Sequence, residues 1–241
     1  AWVSVFGATP FAARALSALG IIALAGLGIY PLRLWWSTSR ALTYSVLCFI
    51  TPMAILAGRE IRMYSWLAFF VTAALLSAWM AWSTRRRRAI LLMVLFTLAA
   101  AYTHIFGVMA SGFLWAAFLA ALVVRRHPLT RAAAIGAGLV LLAYLPWMSS
   151  LIGQASRVNA NYWIEPVSWK GLLWVLSFPF GFKFTMPDLS VIAFVLTVHV
   201  IAYGCRRCLR DQDVAGMVVL AGIGIYLLTL AAAVVLSFLI S

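Results

Sequence analysis

Residues 58 to 64 read Gly58-Arg59-Glu60-Ile61-Arg62-Met63-Tyr64, and this short stretch separates two long apolar segments of the chain. No Lys, Arg, Asp or Glu occurs in residues 41 to 57 or in residues 63 to 84. Charged side chains beside a membrane helix are costly unless they reach water, a partner or a ligand. A solvated loop that only joins two helices is one interpretation. An acid flanked by two arginines, with Tyr64 one helical turn after Ile61, favours a functional site instead.

The composition of the chain indicates a protein that crosses a membrane many times. Hydrophobic residues make up 66% of the sequence and charged residues 10%, whereas soluble domains carry about 25% charged residues. The net charge is +13, but the cations lie in clusters between apolar segments, which is typical of membrane topology and excludes a nucleic-acid partner. Cys205 and Cys208 have C-x-x-C spacing, yet a metal site would need a second pair of ligands. Reduced cysteines are therefore expected, and no metal site is predicted.

The positions of the charges predict an all-α polytopic transmembrane bundle of about eight spans, forming a single domain over residues 1–241. Residues 89 to 124 contain no Lys, Arg, Asp or Glu, and one straight helix of that length would measure about 54 Å against a hydrocarbon core of about 30 Å. Two short spans joined by a turn at Thr103 to Gly107 resolve this mismatch. The expected spans are residues 11–30, 41–57 and 63–83, two segments within 89–124, and residues 132–150, 189–204 and 214–238.

The basic residues also predict which loops face the cytoplasm. Strict alternation of eight spans places twelve cations on one side and six on the other, and the positive-inside rule makes the richer side cytoplasmic. The Glu60 turn, the His104 turn and the loop 151–188 then share the outer face. In that loop Trp163 and two further tryptophans predict a segment lying in the interface, because indole rings anchor at the level of the headgroups.

Three segments resemble turns of one known enzyme family. Glu60-Ile61-Arg62-Met63-Tyr64 is similar to the E-A-R-M-Y turn of glycosyltransferase family 39 and of dolichyl-phosphate-mannose mannosyltransferase-like membrane proteins, which have the GT-C fold. Tyr102-Thr103-His104-Ile105-Phe106-Gly107 resembles a Y-T-H-x-x-G turn of these proteins, and Trp163-Ile164-Glu165-Pro166-Val167-Ser168 resembles their W-I-P-P-P-S loop. The resemblance covers nearly the whole chain and implies an enzyme that uses a polyprenyl-phosphate-linked sugar.

The resemblance also implies roles for single residues. Arg62 matches the family turn and is the first candidate to bind the donor phosphate, since arginine binds phosphate bidentately and stays charged. Arg59 and Arg157 are further candidates because they lie on the predicted outer face. Glu60 and His104 would support catalysis. A divalent cation at this site is left open, because the sequence does not require one. For His104 the alternative is a hydrogen-bonded structural residue near a helix end. The other residues expected around the substrate cavity are Tyr64, Tyr102, Trp163, Glu165 and Lys170.

The sequence departs from the family at the catalytic acid. In the family this acid lies in the first outer loop, after an initial span, whereas residues 6 to 18 resemble the stretch that follows that loop. The catalytic acid is therefore expected upstream of residue 1, in a chain that is expected to be cut at both ends. Glu60 is not expected to be the catalytic base.

The predicted function is part of a membrane glycosyltransferase, placed in a bacterial plasma membrane. It would move a sugar from a polyprenyl-phosphate donor to an acceptor on the outer face. The acceptor is left open among glycan, lipid and protein. A non-catalytic membrane scaffold or subunit is the first alternative, and the missing catalytic acid favours it. A transporter is the second, and it is disfavoured because transporters place polar residues at mid-membrane depth, whereas these charges lie at the ends of spans.

Overall fold

A computed structural model of the chain describes residues 2–160, 187–210 and 214–240. Within these ranges the regular structure is helical throughout and contains no β-strand. The described helices are α1 (Trp2–Phe6), α2 (Pro10–Ile29), a 3-10 turn (Leu32–Leu34), α3 (Thr38–Ile50), α4 (Pro52–Arg59), α5 (Tyr64–Thr84), α6 (Arg87–Thr103), α7 (Ile105–Val124), α8 (Thr130–Ala160), α9 (Pro187–Arg210) and α10 (Val214–Ile240).

Five of the described helical segments are long and apolar enough to cross a membrane: Pro10–Leu34, Tyr64–Thr84, Ile105–Val124, Thr130–Leu151 and Gly216–Val235. Helices α3 and α4 together make a sixth candidate, bent by 56° at the break between them. Helix α6 has 17 residues and measures about 26 Å, somewhat less than a hydrocarbon core of about 30 Å. These helices indicate an integral membrane protein, and the count of eight spans stays a prediction.

The chain folds as two compact units. Of the described residues, the first unit contains residues 2–69, 187–210 and 214–221, and the second contains residues 70–160 and 222–240. In the first unit, α3 runs antiparallel to α2, and two of its hydroxyls donate to α2 carbonyls: Tyr44 to Leu24 at 3.2 Å and Ser45 to Ala25 at 2.8 Å. Gly28 makes this approach possible, because a Cβ there would lie 2.7 Å from the Ala41 carbonyl oxygen.

The second unit is a helical bundle built from the C-terminal parts of α5 and α10 together with α6, α7 and α8. Helices α6 and α7 form an antiparallel hairpin. At its centre the buried Trp115 indole donates to the Thr97 hydroxyl at 3.2 Å, and the Ser111 hydroxyl donates to the Thr97 carbonyl at 3.3 Å. Helix α8 packs against both, and Gly136 lies where a Cβ would come within 3.0 to 3.2 Å of Ile90, Trp115 and Val94.

The second expected span, residues 41–57, is not one helix. Helix α3 ends at Ile50 and α4 begins at Pro52, with Thr51 between them. Proline lacks the N–H group that would continue the preceding helix, but its fixed φ suits the first position of a new helix. The residues on both sides of the break are equally apolar, which is why hydropathy alone predicted a single span.

The sixth expected span, residues 132–150, agrees with the candidate span Thr130–Leu151. Helix α8 continues beyond this span to Ala160, with Pro146 inside it. The first ten residues of the expected loop 151–188 are therefore helical. The turn expected between Thr103 and Gly107 is confirmed, because α6 ends at Thr103 and α7 begins at Ile105.

Candidate functional site

The charged turn 60–63 lies between the end of α4 and the start of α5 in the first unit. Glu60 ends α4 with an extended backbone, and its N–H group donates to the Leu56 carbonyl at 3.0 Å. Helix α5 then begins at Tyr64. The break between the two helices therefore falls within the segment that carries the charges.

Helix α2 holds the backbone of this turn in place. The buried Ser17 hydroxyl donates to the Arg62 carbonyl at 3.1 Å, and the Trp66 indole donates to the Leu16 carbonyl at 2.9 Å. Gly20 lets α5 approach closely, since a Cβ at Gly20 would lie 2.6 Å from the Ser65 Oγ atom. Two hydrogen bonds and one close helix contact thus anchor residues 62 to 66.

The Arg62 side chain extends from this anchored backbone and is exposed. One of its terminal nitrogens lies 3.4 Å from the Tyr64 hydroxyl, and its Cζ atom lies 5.9 Å from the centre of the Tyr64 ring. A guanidinium group within about 6 Å of an aromatic ring is attracted to the ring face. Tyr64 therefore orients Arg62 and leaves most of its donors unused. The structure therefore brings the side chains of Arg62 and Tyr64 together.

Glu60 does not pair with its neighbouring arginines. Glu60 is half-buried and Arg59 is exposed, and within the described residues no ion pair joins Glu60 to Arg59 or Arg62. The supporting role expected of Glu60 therefore stays a prediction. Both guanidinium groups are consequently left without a carboxylate counter-charge in the described part of the chain.

Arg14 was not predicted as part of this site, although it lies near it. It is exposed on α2, three residues before Ser17, which corresponds to a rise of about 4.5 Å along the helix. The residues that contact the turn, Leu16 and Ser17, belong to the same stretch of α2. The sequence does distinguish Arg14 from its neighbours, because it is the sole charged residue in residues 1 to 32.

His104 caps a helix in the second unit. It is the single residue between α6 and α7, and its Nδ1 atom accepts a hydrogen bond from the Phe106 N–H group at 3.2 Å. A nitrogen that accepts is unprotonated, so the capping ring is neutral. Burial lowers the pKa of His104, which favours the same neutral form. The geometry thus supports the interpretation of His104 as a structural residue that caps α7. In this neutral ring the proton is on Nε2.

Tyr102 belongs to an aromatic cluster next to this turn. Its hydroxyl donates to the Ala143 carbonyl of α8 at 2.6 Å, and its ring lies 5.4 Å from the Tyr144 ring and 5.9 Å from the Trp147 ring. Tyr144 and Trp147 were not expected at this site. The run Tyr144-Leu145-Pro146-Trp147 in the last apolar turns of the expected span could have identified them.

Four expected site residues lie wholly or partly outside the part of the chain that the structure describes. Trp163, Glu165 and Lys170 lie outside the described residues, as does the expected interfacial segment around them. Arg157 lies in α8 by its backbone, and its side chain is outside the described set. In the ranges that the structure describes, no group of three or more His, Cys, Asp or Glu side chains could hold a metal ion.

Comparisons with known proteins identify no relative. No protein-family model matches the chain, and no curated protein and no solved structure matches it either.

Proposed function

We propose that this chain is part of a membrane glycosyltransferase with a GT-C arrangement of about eight spans. It would move a sugar from a polyprenyl-phosphate donor to a glycan, lipid or protein acceptor on the outer face of the membrane. The observation that carries the proposal is Arg62, whose backbone is anchored on α2 while its guanidinium group is exposed and oriented by Tyr64.

The chemistry explains why such an arginine fits the donor. A polyprenyl-phosphate sugar carries its phosphate at the membrane surface, and this phosphate becomes the leaving group when the sugar is transferred. A positioned cation stabilises the charge that develops on the leaving group. An anchored arginine does this without further ordering of the backbone, and its fork of donors matches two phosphate oxygens.

The neighbouring residues supply charge and orientation. Arg59 and Arg14 are exposed and raise the positive potential around Arg62. This potential favours the singly charged phosphodiester of the donor, and it also favours the second negative charge that the phosphate gains as the sugar leaves. Glu60 has a supporting role near the sugar or the acceptor. The catalytic base is assigned to a further acid, which the resemblance to the family implies. The distribution of arginines favours an outer position for the Glu60 turn.

Arg62→Ala is expected to weaken binding of a radiolabelled polyprenyl-phosphate sugar about tenfold to a hundredfold. This range corresponds to the loss of one or two hydrogen bonds to a charged group, at about 1.5 kcal/mol each. The measurement is a binding isotherm with the protein reconstituted in lipid nanodiscs. Arg62→Lys should recover only part of the affinity, because an ammonium group cannot bind two oxygens in a fork.

Arg33→Ala is the matched control, since Arg33 is also an exposed arginine beside α2 but lies near its other end. It should bind the donor as the wild type does. Equal affinity of wild type and Arg62→Ala would remove the donor-phosphate assignment. An equal loss in the Arg33→Ala control would show a general effect of charge.

A second candidate is a non-catalytic membrane subunit that binds the same lipid-linked sugar. It is favoured because two of the expected site residues have structural roles. His104 caps α7, and the Tyr102 hydroxyl donates to the Ala143 carbonyl of α8. A transfer assay separates the two candidates. Donor binding that depends on Arg62, without turnover for any acceptor offered to the complete protein, would favour the subunit.

A further inference from the structure

One end of the second unit is densely cationic. Helices α5 and α6 meet there, and so do α7 and α8. We refer to this region as the arginine end, and its basic residues are Arg85, Arg86, Arg87, Arg88, Arg125, Arg126 and Arg131. Residues 70 to 160 contain no Asp or Glu. All seven arginines are exposed, and their counter-charge has to come from elsewhere.

The two groups of arginines form one surface because the loops that carry them are joined. The Trp82 ring, from the last turns of α5, stacks on the His127 ring with centroids 5.2 Å apart and an angle of 14° between the planes. His127 is fixed in its loop, since its Nδ1 atom accepts from the Leu129 N–H group at 3.2 Å and its carbonyl accepts from the Thr130 hydroxyl at 2.6 Å. Residues 85 to 88 therefore lie beside residues 125 and 126.

Both helices that end here do so at an arginine with a left-handed backbone. Arg85 has φ 56° and its N–H group donates to the Ala81 carbonyl, while Arg126 has φ 49° and donates to Val123. Glycine is the usual residue at such positions because it carries no Cβ penalty. Cations do suit helix C-termini. That preference accounts for one cation at each terminus, and the other five need a further reason.

Within the described residues, none of the seven guanidinium groups donates a hydrogen bond to, or pairs with, another protein group. Exposed apolar side chains lie directly beside them. Val124, which precedes Arg125, is 78% exposed, and Leu91, one turn after Arg88, is 59% exposed. A ligand that matches this surface combines anionic oxygens with hydrocarbon, which describes a phospholipid and does not describe free phosphate or nucleic acid.

We propose that the arginine end is a binding surface for anionic phospholipids whose headgroup carries two phosphates. One phosphate contacts the arginines at 85 to 88, and the other contacts Arg125 and Arg126 across the Trp82–His127 stack. The acyl chains lie along the apolar side chains exemplified by Val124 and Leu91. Juxtamembrane clusters of four to eight Lys or Arg are attracted to anionic lipid surfaces.

The test measures retention of fluorescent cardiolipin by the purified protein in nanodiscs of neutral phosphatidylcholine. The variant Arg125→Gln/Arg126→Gln is expected to bind cardiolipin about tenfold more weakly, which is a conservative value for two basic residues at about 1 kcal/mol each. The control Arg33→Gln/Arg206→Gln also removes two exposed arginines, and it should bind as the wild type does. Trp82→Leu should weaken cardiolipin binding too, because the two loops lose their connection.

Two results would overturn the proposal. One is equal cardiolipin affinity for the wild type and the Arg125→Gln/Arg126→Gln variant. The other is equal retention of phosphatidylglycerol and cardiolipin at matched total charge, since the proposal requires two linked phosphates. The donor-binding assay with Arg62→Ala is a separate measurement on the first unit, so either proposal can fail without affecting the other.

Discussion

Arg62 and His104 lie in two similar turns between helices, but their side chains have different roles. Ser17 binds the carbonyl of Arg62 and leaves its side chain exposed, so that residue can meet a ligand. His104 uses its own side chain to accept from Phe106, so its ring is committed to starting α7. A turn sequence that resembles a catalytic motif is therefore weak grounds for a catalytic role until the side-chain partners are known.

His104 is expected to make stability depend on pH. Burial lowers its pKa in the folded protein below the ordinary value of about 6.5, so the unfolded chain binds more protons in that range. Its contribution is fully present above about pH 6.5 and is lost as the pH falls below that value. Thermal unfolding in detergent at about pH 7.5 and about pH 5.5 measures the effect.

His104→Asn is the informative variant for that measurement, because asparagine accepts a hydrogen bond at the first position of a helix and does not titrate. It should lose less stability than the wild type between the two pH values. His199→Asn is the control, since the His199 ring bonds its own helix at Val195 and caps nothing. Identical pH dependence in the wild type and His104→Asn would contradict this role.

At the scale of helices, small residues decide how closely the elements pack. Gly20, Gly28 and Gly136 each lie where a side chain would collide with a neighbouring helix, whereas Gly138 has open space around its Cβ position. Close approach matters in a membrane, since helix association there depends on van der Waals contact and not on escape from water. The glycines of this chain are therefore not equivalent.

Gly136→Leu is expected to destabilise the second unit by about 1–3 kcal/mol or more, which is the usual cost of overpacking a filled core. The new side chain would meet Ile90, Val94 and Trp115. Gly138→Leu lies on the same helix two residues later and should change stability by less than about 0.5 kcal/mol. Chemical unfolding in mild detergent compares the two, and equal destabilisation would contradict the packing described for α8.

The same scale shows what can be predicted from sequence and what cannot. The turn at His104 was predictable because residues 89 to 124 carry no charge and are too long for one span. The break at Thr51 was not, since apolar residues flank it on both sides. Arg62 and Tyr64 were predicted together because they are close in sequence. Their anchors on α2 were missed because the Ser17 contact joins positions 45 residues apart, and local pattern carries no such information.

At the scale of the whole molecule, the second unit is polarised along its helices. One end carries seven exposed arginines, and the other carries the aromatic cluster of Tyr102, Tyr144 and Trp147. Arginine-rich ends face the cytoplasm in most membrane proteins, and aromatic residues are enriched at both interfaces. This arrangement places His104 at the outer end of the unit under our proposal.

Cysteine labelling tests that orientation. In a background where Cys48, Cys205 and Cys208 are replaced by serine, Arg87→Cys and Arg125→Cys should react with a membrane-impermeant maleimide only in inside-out vesicles. Phe106→Cys, next to His104, should react in intact cells. Labelling of all three positions from one side would contradict the polarity, and full labelling after solubilisation is the control for reactivity.

Helix α3 has a consequence for how the protein is made. It has 13 residues, or about 20 Å of helix, and it begins with Arg40 in its first turn, so it is too short and too polar to enter a bilayer of about 30 Å alone. Its hydroxyls bind the carbonyls of Leu24 and Ala25 on α2. Stable insertion of α3 is therefore expected to depend on its contacts with α2 and on the continuation of the bent span through α4.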